Sequence, residues 1–402
     1  MFFLCYNYLN NTSQGDYYMK QKERNSNFEL MRIVSMLMII LWHMYIYGGI
    51  RDRGVVQNPS LQVIFDFLYC VYMVHVNSFV LLTGYFQFDK MIKPSKFVSI
   101  IDMSLFYKVI SMIVFVSLGL ITVTKLDIIQ NLFPFELNLN DSHWFIRYYI
   151  FLYLLIPFIN ILIKNISKKD FKKLLIVLTF ILSIIPFITG NKSMENNGFT
   201  LYQFIYIYFI GAFLGKYKIN KNDIIKKIPV NLYRIILISI FLLCAVSNYN
   251  MNITCNHLRG LNSVYNEICG NFITMFSRYS NPIVLVQSLS YFLLFETFNF
   301  KSKIINKISA LTLGIYLIHY DINVKNNIFI FLKIDGGPYH SYKYLLYYFA
   351  IGILIFICSG IIEFIRQVIM KFIKKRKITQ KFENKISSFV DSLKFKESNV
   401  KE

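Results

Sequence analysis

Apolar residues fall into long runs separated by short polar and basic stretches. Ten runs approach the length needed to cross about 30 Å of hydrocarbon. They cover residues 29–50, 61–86, 97–122, 143–163, 172–190, 200–215, 231–249, 282–299, 306–323 and 344–370. The sixth and ninth are short, and Asn281-Pro282 either opens the eighth or interrupts a longer segment. Pro157 and Pro186 lie inside the fourth and fifth runs and are expected to kink them. The pattern predicts an all-α polytopic membrane protein of about ten transmembrane helices.

Three regions follow from the same pattern: a polar tail over 1–28, one membrane domain over 29–370, and a basic tail over 371–402. The first tail carries no signal-peptide pattern. Met19, opening MKQKERNSNFELMR, is the expected translation start, which N-terminal peptide mapping checks. The second tail, KFIKKRKITQKFENKISSF, spaces apolar residues among lysines. It reads either as an amphipathic helix on an anionic leaflet or as a plain solvated tail.

Composition sharpens this picture. The 402 residues are 55% hydrophobic and 17% aromatic, above the apolar content of soluble domains. A net charge of +21 raises nucleic acid as a partner, but the positions of the basic residues exclude it. With the N-terminal tail inside, alternate segments hold 30 of the 43 Lys and Arg, and the opposite loops hold nine. That asymmetry predicts ten spans with both termini cytoplasmic. The six cysteines form no metal-binding pattern, so no metal is expected; Cys255 and Cys269 share one loop and either pair or stay as thiols.

Polar residues inside the apolar runs carry the candidate chemistry. In ELMRIVSMLMIILWHMYIYGGI, Arg32 and His43 are eleven residues apart. At about 100° and 1.5 Å per residue they share a face and stand about 16.5 Å apart along the axis. His319, in GIYLIHYD, lies about 20 Å from the inner end of the ninth segment, a depth similar to that of His43. His143 and Arg147 share a face at the outer mouth of the fourth, and Asp66 lies one to two turns in from outside on the second. Together they predict a polar cavity open toward the exterior, with Arg32 below it. Histidine can take a hydroxyl proton near neutral pH, and arginine recognises phosphate.

Structural roles compete with these. Glu29 is expected to pair with Arg32 at i, i+3, and His75 to hydrogen-bond a neighbouring helix. His319 is either cavity lining or a helix contact. His143 and Arg147 are either lining or interfacial anchors, and Lys90 and Lys93 either bind a donor or enforce topology. Trp42 is read with the many tyrosines near helix ends as an interfacial residue.

Four features resemble the integral-membrane acyltransferases of family 3, which include bacterial O-acetyltransferases of cell-surface polysaccharides. Asn27-x-Glu29-Leu30-x-Arg32 followed by ten residues and His43 resembles the family's Arg-x10-His signature. VNSFVLLTGYF at 76–86, HWFIRYYIFLYLLIPFIN at 143–160 and LGIYLIH at 313–319 resemble three later segments, in order. The resemblance implies an all-helical multi-pass enzyme of a bacterial plasma membrane with no bound cofactor. Its donor would be cytoplasmic acyl-CoA, usually acetyl-CoA. Its acceptor would be a hydroxyl of a cell-surface polysaccharide (an exopolysaccharide, for example) or of a lipid-linked sugar. His43 then takes the catalytic position and Arg32 that of the signature arginine. Lys90 and Lys93 stand where relatives carry a basic pair, with lysine replacing the bidentate arginine fork. Val76-Asn77 stands where many relatives carry an acidic residue. The alternative is a flippase or transporter for a lipid-linked sugar without acyl chemistry. It accounts for intramembrane charge but not for the Arg-x10-His spacing.

Overall fold

A computed structural model describes residues 25–51, 58–90, 92–132, 143–189, 198–221, 223–259, 278–332 and 341–373, with 261, 334 and 388 singly. The expected start at Met19, Cys269 and nearly all of the basic C-terminal tail lie outside these residues. Helices in chain order are α1 Ser26–Tyr47, α2 Pro59–Tyr72, α3 His75–Gln87, α4 Pro94–Ser117, α5 Lys125–Leu132 and α6 Trp144–Asn165. Next come α7 Lys168–Thr179, a π-turn Phe180–Ile184, α8 Ile185–Thr189, α9 Leu201–Tyr217, α10 Asp223–Lys226 and α11 Val230–Arg259. Last are α12 Pro282–Glu296, α13 Lys303–Ser309, α14 Thr312–His319, α15 Ile322–Phe331 and α16 Lys343–Ile373. No strand occurs among the described residues, so the chain is all-α.

Seven of the described helical stretches are long and apolar enough to cross a membrane, as a multi-pass protein requires. Three predicted spans take another form. The sixth is α9, of 17 residues, and the eighth is α12, of 15. Asn281 settles the start of α12: its side chain accepts from the Ile283 N–H, with Pro282 in the first turn. The ninth is divided into α13, α14 and α15. Asp321 causes the second division, because its carboxylate accepts from the Asn323 and Val324 N–H groups and from the Ser111 hydroxyl, starting a new helix after His319. Pro186, without an N–H, sits just after the π-turn that absorbs the disturbance to the helical ladder.

The first helix is the hub. α1 contacts α2, α3, α12, α13, α14, α15 and α16, so it is buried around most of its circumference. Its N-terminus is pinned to the α12–α13 connection. The Ser26 N–H donates to the Phe300 carbonyl (3.1 Å), Asn27 Nδ2 to the Phe295 carbonyl (2.9 Å), and the Ser302 N–H to Ser26 Oγ (2.7 Å). Beside the hub, α3 and α9 cross with backbones in contact. A Cβ on Gly84 would lie 2.2 Å from the Tyr208 carbonyl, and one on Gly211 2.3 Å from the Leu81 carbonyl. Small residues at such crossings give membrane helices their close packing. By contrast, Lys168–Thr189 and Val230–Cys255 keep only 17% and 11% of their apolar windows inside the protein, which makes them peripheral.

Candidate active site

α1 presents Met36, Ile39, Trp42, His43 and Tyr47 to one cavity of about 60 Å³. The opposite walls come from His75, Val76 and Phe79 of α3, from Trp144 and Phe145 of α6, and from Phe199, Tyr279, Leu313, Tyr316 and Tyr320. The lining is thus aromatic with two imidazoles, where the sequence predicted a generally polar hollow.

His43 is held from two sides. Its ring stacks on Tyr320 at 4.0 Å between centroids and 6° between planes. Its Nδ1 lies 3.0 Å from Nε2 of His319. The other nitrogen of His319, Nδ1, is 2.6 Å from the Ile315 carbonyl and must carry a proton to bond it. In the neutral ring Nε2 of His319 is then an acceptor, and His43 Nδ1 donates to it. The chain of bonds leaves the lone pair on His43 Nε2, since this ring's hydrogen bond among the described residues is made by Nδ1. Lys325 caps this stack from above, its Nζ 4.5 Å from the Tyr320 ring and 4.6 Å from that of Tyr47.

His75 also lines the cavity, beyond its expected role as a helix contact. Its Nδ1 donates to the Tyr72 carbonyl (2.5 Å), a group freed where α2 passes into α3, and Nε2 accepts from the Tyr279 hydroxyl (3.3 Å). Both of its nitrogens are therefore engaged, unlike those of His43. Trp42 sits between the two imidazoles, 5.5 Å from each, with its face on Tyr69. Its place is the cavity wall, and the interfacial reading is corrected.

Arg32 does not line this cavity. Its guanidinium turns back one turn to Glu29 (2.7 Å), as helical side chains lean toward the N-terminus, and Ser309 donates to the other oxygen of that carboxylate (2.5 Å). The cavity begins above it, at Met36. Arg32 instead belongs to a basic group with Lys90, Lys93 and Lys96, the last of which is repelled by the other three. Lys90 Nζ donates to the Phe86 carbonyl (2.6 Å), and Lys96 Nζ lies over the Tyr153 ring (5.5 Å). Lys96, counted in the sequence only as loop charge, is the added member.

His143 and Arg147 also stand outside the lining, with Trp144 and Phe145 between them facing the cavity. His143 Nε2 donates to the Leu317 carbonyl (3.3 Å), tying α6 to α14, and the Arg147 guanidinium lies 5.1 Å from the Tyr148 ring. His319 stands behind His43, and Asp66 is engaged by Tyr45 and Gln62. Asn77 donates to the Tyr279 carbonyl (3.0 Å), fixing the loop that brings Tyr279 to the cavity. Tyr279 lies in no apolar run, so periodicity carries no signal for it; Tyr320 adjoins His319 and was within reach.

Among the described residues, no group of three or more His, Cys, Asp or Glu could hold a metal ion. Comparison with curated proteins and with solved structures gave no match. The acyltransferase domain of family 3 matches residues 25–364, from the start of α1 into α16. An imidazole held in one tautomer at a cavity wall, with Arg32 about three turns below it on the same helix, lies wholly within that match: the chain belongs to acyltransferase family 3.

Proposed function

We propose that this acyltransferase moves an acetyl group from cytoplasmic acetyl-CoA to a hydroxyl of an extracytoplasmic or lipid-linked glycan, in a bacterial plasma membrane. The observation that carries the reading is the lone pair of His43 Nε2 in an aromatic cavity. A hydroxyl placed against it would give up its proton to the imidazole as its oxygen attacks the thioester carbonyl carbon. When the C–S bond breaks, the same nitrogen returns the proton to the sulfur. Aromatic walls with a few placed polar groups are what a bound organic substrate requires, and flat rings suit the C–H face of a sugar. Arg32, Lys90, Lys93 and Lys96 form the cationic group suited to the phosphates of CoA. The loop asymmetry of basic residues supports a cytoplasmic position for that group.

The test is acetyl transfer to glycan in isolated membranes, wild type against His43→Ala. A loss of about 10²–10⁴-fold is expected, the usual contribution of a positioned base. An unchanged rate in a normally expressed variant removes His43 from the chemistry. A wild-type protein that neither binds CoA nor transfers acetyl while moving a lipid-linked sugar would be a carrier instead.

A further inference from the structure

The cavity wall holds a buried donor with no acceptor among the described residues. The Trp42 indole Nε1–H is buried and has no acceptor among the described residues. Burying an N–H without a partner is costly, and native proteins rarely do it without a reason. Around it the hydrogen bonds are spoken for. Both nitrogens of His75 and of His319 are engaged, the Tyr279 hydroxyl is on His75, and the Tyr47 and Tyr320 hydroxyls pair with each other at 3.0 Å. An acceptor and a donor without partners among the described residues thus sit side by side on α1: His43 Nε2, on a ring bonded through Nδ1 alone, and the buried Trp42 Nε1–H.

We propose that Trp42 is a catalytic residue whose indole N–H receives the carbonyl oxygen of the transferring acyl group as it becomes an oxyanion. The inference rests on the acyl-transfer reading above. A hydroxyl oxygen bonds to the thioester carbonyl carbon while its proton passes to His43 Nε2. The carbonyl π electrons move onto oxygen, where the indole N–H meets the new charge. Collapse re-forms C=O, breaks the C–S bond, and sends the imidazolium proton to the sulfur, leaving ester and thiol. The donor is fixed before the reaction starts. Tyr69 stacks on the indole at 5.9 Å and 20°, and both imidazoles pack against it. A rigid donor in a water-poor site stabilises developing charge without reorganising.

The experiment uses the full chain in lipid nanodiscs, with acetyl-CoA as donor and extracted lipid-linked glycan as acceptor, read as thiol release. Trp42→Phe removes the N–H. Replacing Trp42 by β-(3-benzothienyl)alanine puts sulfur where the N–H was and keeps the shape. Both changes are expected to lower kcat by about 100- to 1,000-fold, as loss of one oxyanion donor does, with KM for acetyl-CoA near the wild-type value. A benzothienyl variant with wild-type kcat assigns the N–H to a buried water and overturns the proposal. So does a raised KM at constant kcat, which marks ordinary binding. His43→Ala in parallel separates the two readings. If it is inactive while the benzothienyl variant is normal, acyl transfer stands and the role of Trp42 falls. If the wild type releases no thiol, both fall.

Discussion

At the scale of single residues, the site turns on which nitrogen of which imidazole carries a proton. His319 reads in the sequence as either cavity lining or a helix contact, and it is the second kind of residue serving the first kind. It points at His43, and its own proton is tied to the Ile315 carbonyl four residues back. His319→Phe keeps a ring of similar size and removes the acceptor. His43 is then free to place its proton on either nitrogen, and the lone pair facing the cavity is no longer guaranteed. One neutral hydrogen bond is worth about 1 kcal/mol, so kcat is expected to fall roughly five- to tenfold, with KM for acetyl-CoA unchanged. A normal kcat in steady-state assays of that variant would show that His43 holds its tautomer without help. The Arg-x10-His spacing places both residues on one face of α1, and the i, i+3 spacing pairs Glu29 with Arg32, as the structure shows. What the spacing cannot show is that this pairing leaves the guanidinium outside the cavity wall, because periodicity fixes where a Cβ points and not where the end of a long side chain settles.

At the scale of elements, the apolar runs were legible and their interruptions were not. A run of twenty apolar residues announces a helix by composition alone. The break between α14 and α15 has a local part, Asp321 accepting from the Asn323 and Val324 N–H groups, and a distant part, its bond from Ser111 of α4 some 210 positions away, which no local pattern carries. The crossing of α3 with α9 is of the same kind, since Gly84 and Gly211 are informative only once they face one another. This crossing holds His75, Val76 and Phe79 in the cavity wall, so it bears on the site as well as on stability. Gly84→Ala forces a methyl group onto the Tyr208 backbone, where no flexible side chain can yield. Overpacking of this sort costs about 1–3 kcal/mol and is expected to lower the unfolding temperature of the detergent-solubilised protein. Gly360 is the control. A Cβ there would meet its nearest neighbours at 3.6 and 3.9 Å, so Gly360→Ala should melt at or above the wild-type temperature.

For the whole molecule, the matter is how a chain with seven long apolar helices among its described residues sorts its charge across a membrane. Thirty of its 43 basic residues fall on one side only if α9 crosses, and α9 has just 17 residues, about 25 Å of helix. Its surroundings reconcile the two. Twelve of those residues, Gln203 through Gly215 apart from Ile205, are buried within the protein, and a helix wrapped by others need not match the lipid thickness. The proposed orientation then has a sharp test in single-cysteine variants of a chain whose six cysteines are replaced by alanine. An impermeant maleimide applied to intact cells is expected to label Lys125→Cys at the start of α5. It should reach Lys172→Cys, near the start of α7, and Lys227→Cys, after α10, only once the membrane is opened. Between positions 172 and 227 the chain passes once through α7 and α8 and once through α9. Labelling of Lys227→Cys from outside, with Lys172→Cys protected, would therefore mean that α9 turns back before crossing. The basic residues from 216 to 227 would then move to the outer side, and the charge argument for cytoplasmic donor binding would go with them.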